Sequence, residues 1–237
     1  MKPSSRLIVA LDTPSRDRAL DLARTLRGQV AVFKVGLELY TAVGPSILRD
    51  LKSLGAEIFL DLKFHDIPNT VARAVAEAAR LGVAMLDLHL SGGAAMARRA
   101  VDELDAVCDL HQLRRPALLG ITVPTSLSGE DLAALGIGRT PEEQVLALAA
   151  LGKEAGLDGV VASPRELAAL RQRFGPDWII VTPGIRPSGS PADDQVRTLT
   201  PKEAVEAGAD YLVVGRPITG AADPSEAARE ILRSIIR

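Results

Sequence analysis

Short β-branched runs alternate with longer helical patterns along the whole of this chain, and that alternation restricts its fold more than any other feature. The predicted strands are Leu7–Asp12, Val30–Gly36, Glu57–Lys63, Met85–Leu90, Ala117–Val123, Gly159–Ser163, Ile179–Gly184 and Tyr211–Arg216. Between them lie segments such as RDRALDLARTLRG and VARAVAEAARLG, with helical apolar spacing and a glycine stop. Strands separated by helices are joined by right-handed crossovers and so run parallel. About eight such units in 237 residues point to an α/β fold of one kind, a single (β/α)₈ TIM barrel over residues 1–237. An open doubly wound sheet is the alternative; no linker or shift in composition suggests a second domain.

Composition says what must fill such a barrel. Hydrophobic residues make up 47% of the chain but aromatics only 3%, so the core must be built from Val, Leu, Ile and Ala. Net charge is −2, which leaves no electrostatic footprint for a nucleic acid or an anionic membrane. An anionic ligand must therefore be held by a local cluster of basic residues. The single cysteine, Cys108, forms no intrachain disulfide, which fits a reducing compartment. The N-terminal MKPSSRLIVALD lacks the pattern of a signal peptide, and no run reaches the roughly 18 apolar residues of a membrane span. A soluble, cytoplasmic protein is expected.

Polar residues collect at the C-terminal ends of the predicted strands, the face where barrel enzymes build their sites: Asp12, Lys34, Asp61 with Lys63, His89, Thr122 with Thr125, Arg186 and Arg216. In EIFLDLK the two-residue period puts Asp61 and Lys63 on one face, with Leu60 and Leu62 on the other. Asp66 follows in HDIPNT, and Pro68-Asn69-Thr70 opens the next helix. Carboxylates and ammonium groups crowded into one mouth hold each other ionised, which suits a proton-donating lysine better than a Schiff-base lysine. Taken alone, D-x-K-x-x-D also describes a structural ion pair. Arg186 in PGIR and Gly215-Arg216 in VVGRPI, at the ends of the last two strands, form a phosphate-binding pattern: the glycine admits close approach, and the planar guanidinium fork suits phosphate oxygens. Two long connections, 124–141 and 186–201, leave the same face and are candidate lids; Gln195 in the second could add a neutral donor.

DLKFHDIPNT (61–70), VTPGIRPSG (181–189) and VVGRPI (213–218), with IVALD (8–12) and FKVG (33–36), closely resemble the bacterial orotidine 5′-phosphate decarboxylase family in order and spacing. One departure is ITVPTS (121–126), where Pro124 replaces the family's usual apolar residue beside Thr125. The resemblance implies cofactor-free, metal-free decarboxylation of orotidine 5′-monophosphate to uridine 5′-monophosphate, the last step of de novo UMP synthesis. It implies that Lys34, Asp61, Lys63 and Asp66 form the catalytic charged network, with Asp61 close to the departing carboxylate of the bound substrate. Asp12 and Lys34 would hold the ribose hydroxyls, Thr125 the pyrimidine, and Arg186, Gln195, Gly215 and Arg216 the phosphate. It also implies a homodimer with shared sites, to which Asp66 and Thr70 are lent across the interface. His89 is expected to support the barrel mouth as a hydrogen-bonder, while His65 and Asn69 are assigned no chemistry.

Two other readings use the same residues. A metal-using branch with this barrel and D-x-K-x-x-D, such as the hexulose-phosphate synthases, holds Mg²⁺ through an acidic side chain on strand two; here that position is Lys34, a cation opposed to metal binding. A non-catalytic phosphate-sugar-binding barrel would keep Arg216 without needing Lys63.

Overall fold

The computed structural model describes residues 6–30, 32–186 and 199–236. Its strands are β1 (Leu7–Ala10), β2 (Val32–Gly36), β3 (Glu57–Phe64), β4 (Met85–His89), β5 (Ala117–Ile121), β6 (Gly159–Val161), β7 (Ile179–Thr182) and β8 (Tyr211–Val214). All are parallel and neighbours in sequence order, and β8 closes on β1 through Leu7↔Leu212 and Val9↔Val214. The fold is the closed (β/α)₈ barrel expected from the alternation, not an open sheet.

Most strands end about two residues before their predicted C-terminal limits. Asp12, Thr122 and Arg216 consequently stand just past the paired segments. The ladder does not stop abruptly, since Leu11 N–H still donates to Lys34 O (3.0 Å) and Thr122 N–H to Val161 O (3.3 Å). Thr122 is buried, and its hydroxyl donates to the same Val161 carbonyl (2.9 Å).

Strand alternation sorts the apolar residues into two layers. Ile8, Ala10, Val32, Phe59, Met85, Leu119, Val181 and Val213 fill the barrel interior. Their neighbours Leu7, Val9, Phe33, Val35, Ile58 and Leu60 face outward and pack in the larger core that includes the helices. The helices begin where the sequence offers caps. Ser15 accepts a hydrogen bond from Arg18 N–H to start Arg16–Thr25, and Thr140 forms a capping box with Glu143 ahead of Pro141–Glu154. The connection 124–141, read as a loop, contains a further helix, Gly129–Ala134, started by a capping box of Ser128 and Asp131.

The opposite end of the barrel is held by two similar clamps. Asp158 Oδ2 accepts Leu118 N–H (2.7 Å) and pairs with Arg115 (2.6 Å). Asp210 Oδ2 accepts Ile180 N–H (2.8 Å) and pairs with Arg171. Arg171 also donates to Gly208 O (2.7 Å), Gly175 O (3.1 Å) and Trp178 O (2.6 Å), tying the ends of β7 and β8 to the helix Leu167–Phe174. Removing one partner of a partly buried pair leaves the other charge and several carbonyls uncompensated. Arg171→Ala is therefore expected to destabilise the fold by about 3 kcal/mol; urea unfolding measures this, and a loss under about 1 kcal/mol would mean that water replaces the clamp.

Candidate active site

β3 delivers the charged centre. Asp61 is buried at the top of the strand, above the interior Phe59, and its two oxygens face different lysines. Lys63 Nζ bonds Asp61 Oδ1, while Lys34 Nζ lies 3.0 Å from Asp61 Oδ2 and 3.3 Å from Asp12 Oδ1. Gly36 leaves room for this arrangement, because a Cβ there would stand 3.0 Å from Lys34 Nζ. The charges sustain one another. Burial alone would push the Lys34 ammonium down, but Asp61 and Asp12 more than offset it and hold it above the ordinary lysine value. Burial would likewise raise the Asp61 carboxyl; Lys34, the neighbouring Asp87 carboxyl and the Lys63 ammonium hold it well below the usual carboxylate range.

Lys63 reaches this position by an irregular route that simple alternation does not anticipate. Its φ is +51°, in the left-handed region that non-glycine residues seldom occupy. The register with β4 shifts there, from Leu60↔Leu86 to Phe64↔Leu88, so four residue steps on β3 oppose two on β4. The Lys63 N–H, displaced from the ladder, donates instead to Asp87 Oδ1 at 2.8 Å. Asp87 has no exposure at all, and its carboxyl is pushed well above the usual value by burial and then by the Asp61 charge. Sequence reasoning missed this residue. Its signal was an acid in the middle of the otherwise apolar MLDL, on the same face as the interior Met85.

One cavity of about 330 Å³ opens at this end of the barrel. Asp12, Lys34, Asp61, Lys63, Thr125, Arg186, Gly215 and Arg216 all line it, so eight of the expected site residues converge within a single chain. Thr125 is among them despite Pro124, which itself lines the cavity. Val123, Val161, Ile121 and Val213 supply apolar wall, and Ser163, not singled out from sequence, adds a hydroxyl near the end of β6. Arg186 follows β7, four strands around the ring from β3, so a guanidinium and the Asp61–Lys63 pair are set across the barrel axis.

The resemblance assigns Asp66 and Thr70 to a neighbouring subunit's site. Asp66 and Thr70 are exposed and do not line the cavity; Asp66 Oδ1 accepts the N–H of its own neighbour, Ile67 (2.6 Å). Gln195 lies outside the described residues. His89 is half-buried beside His65, with ring centroids 5.4 Å apart, and makes no side-chain hydrogen bond among the described residues. Burial, then His65 and Lys63, push its imidazole below the ordinary histidine value.

Comparison with known proteins adds an independent line. The family model "Orotidine 5'-phosphate decarboxylase / HUMPS family" matches residues 5–231. The orotidine 5'-phosphate decarboxylase of Syntrophotalea carbinolica is 50% identical over 97% of this chain and 94% of its own length. That of Geobacter sulfurreducens is 49% identical over 98% and 96% respectively. The crystal structure of orotidine 5'-phosphate decarboxylase from Lactobacillus acidophilus superposes with a TM-score of 0.87 at 38% identity, covering 98% of this chain and all of the other. With the family model spanning residues 5–231 and relatives matched over nearly the whole length, this chain belongs to the orotidine 5'-phosphate decarboxylase / HUMPS family.

Proposed function

We propose that this chain decarboxylates orotidine 5′-monophosphate to uridine 5′-monophosphate, closing de novo UMP synthesis in the cytoplasm, with neither a metal nor an organic cofactor. The observation that carries this reading is the Asp61–Lys63 pair, backed by Lys34, in a cavity that also holds Arg186 and Arg216. Loss of CO₂ leaves an electron pair on C6 of the pyrimidine, with no cofactor to delocalise it. An ammonium fixed beside C6 stabilises that charge and then gives up its proton to the carbon, so Lys63 is both electrostatic stabiliser and acid. Asp61 orients Lys63 and, next to the departing carboxylate, works against the ground state. Asp12 and Lys34 suit ribose hydroxyls, Thr125 the pyrimidine edge against the apolar wall, and Arg186, Gly215, Arg216 and Gln195 the phosphate.

The metal-using alternative is disfavoured by the position of Lys34 Nζ. It lies between Asp12 and Asp61, at 3.3 and 3.0 Å, where a cation bridging those carboxylates would have to sit. Release of CO₂ from orotidine 5′-monophosphate in excess EDTA tests the whole reading. Unimpaired turnover supports it, metal-dependent turnover favours the other branch, and binding without turnover favours a non-catalytic barrel.

The shared-site homodimer belongs to the same proposal. Asp66 and Thr70 are exposed beside Ile67, which is 67% exposed, and Leu37 after β2 is also exposed. Apolar side chains left uncovered beside the charged motif suit a two-fold contact that carries Asp66 into a neighbouring site. Among the described residues no helix is long and apolar enough to cross a membrane.

The phosphate assignment makes a separable prediction. Arg216→Ala should weaken UMP binding by about 1.5–3 kcal/mol, the worth of a charge-assisted hydrogen bond. Uridine, which lacks the phosphate, should bind the variant as it binds the wild type. Calorimetric titration with both ligands decides it: equal losses for the two would place Arg216 away from the phosphate.

A further inference from the structure

The reaction as proposed uses Asp61, Lys63 and Lys34 but leaves Asp87 without a part. Few side chains are placed less casually. It is a fully buried acid in the middle of β4, with no solvent exposure, facing the charged centre from the neighbouring strand. Oδ1 accepts the backbone N–H of Lys63 at 2.8 Å, at the point where the β3–β4 ladder breaks and Lys63 turns to φ +51°. Without that acceptor the N–H would be a buried donor with no ladder partner. Oδ2 meets no protein donor, although it is buried. The carboxyl that interacts with it is that of Asp61. Two carboxyl groups in contact away from water cannot both remain ionised; one proton between them turns the repulsion into a hydrogen bond. Asp61 is flanked by two lysines and Asp87 is more deeply buried, so the proton resides on Asp87.

We propose that Asp87 is a positioning residue of the active site: as a neutral carboxylic acid it accepts the Lys63 N–H on one oxygen and donates to Asp61 from the other, fixing both members of the reacting ion pair. It touches no substrate and acts through its two neighbours. Burial and the Asp61 charge, which push the Asp87 carboxyl well above the ordinary aspartate value, agree with this geometry. Asn at this position would reproduce both bonds, with its carbonyl oxygen accepting and its amide N–H₂ donating. Val would fill similar space and make neither.

The kinetic arm of the test rests on the proposed decarboxylation; the spectroscopic arm does not. At neutral pH, infrared difference spectra between wild type and Asp87→Asn should contain the carbonyl stretch of a protonated carboxylic acid, lost in the variant. Asp87→Asn should keep kcat within about threefold of wild type, whereas Asp87→Val should lose about 10²-fold in kcat with KM changed by less than about threefold, as expected when reacting groups are displaced by about 1 Å. A purely structural role would lower the yield or Tm of Asp87→Val without that split between kcat and KM. If Asp87→Val does not fold, Asp87→Asn still decides. A carboxylate band in place of the acid band, or a loss of kcat near 10²-fold in Asp87→Asn, would overturn the proposal. So would wild-type kcat in Asp87→Val. Were the wild type to release no CO₂ at all, the proposed reaction would fall, and the acid band alone would judge Asp87.

Discussion

Lys63→Ala is expected to abolish nearly all turnover while leaving the nucleotide site intact. The lysine has two tasks: its positive charge offsets the pair of electrons left on C6, and its proton quenches them. Removing one preorganised electrostatic group commonly costs about 10²–10³ in rate, and removal of a group that is also the proton donor should exceed that range. Binding should survive, because Arg186, Gly215 and Arg216 follow β7 and β8, strands that do not neighbour the β3 strand carrying Lys63. The variant removes one cation beside Asp61 but leaves Lys34 on the other oxygen, 3.0 Å away, so the buried carboxylate keeps a partner and the fold should hold. Single-turnover measurement of CO₂ release, with calorimetric titration of UMP on the same sample, separates the two functions. A variant retaining more than about a tenth of wild-type kcat would remove Lys63 from the chemistry, since such a loss is below even the single-group range.

The contrast between Lys63 and Asp87 shows which parts of this molecule could be read without coordinates. Strands buried on both faces appear as continuous apolar runs, so all eight were visible, and a charge that ends such a run is conspicuous. That is how Asp12, Lys34, Asp61 and Lys63 were recognised. What local pattern does not carry is how two strands register against each other. The bulge at Lys63 depends on a hydrogen bond to a residue 24 positions later, and neither MLDLH nor DLKF contains it alone. Asp87 was therefore passed over as part of a strand, although a central acid in an apolar run already required a buried partner. The helix Gly129–Ala134 was overlooked for a different reason: it is six residues long, and only the Ser128–Asp131 capping box marks it within a connection rich in glycine and proline. Ser163 lines the cavity two residues after Val161, the last residue of β6 and itself a lining residue, a placement that a small polar residue at a strand end does not advertise.

Mixing two inactive variants should restore activity if the sites are shared as proposed. Asp66 is exposed, apart from the cavity of its own chain, and adjoins the uncovered Ile67, so in the proposed dimer it serves the neighbour's Lys63. A two-fold contact is isologous: each subunit lends the same residue that it borrows. Consider a dimer of one Asp66→Ala subunit and one Lys63→Ala subunit. The first keeps its own Lys63 and receives an intact Asp66 from its partner, so that site is whole. The second has lost Lys63 and receives the alanine, so its site carries both losses. Each variant alone has every site damaged. Random exchange makes about half of the dimers mixed, and one site in two is whole in each, so activity should climb toward about a quarter of wild type. The recovery should follow the rate of subunit exchange, measurable in parallel by energy transfer between differently labelled subunits. Exchange that proceeds to equilibrium with no recovered turnover would mean that each site is completed within one chain, and Asp66 would then have to act from the surface where it now stands.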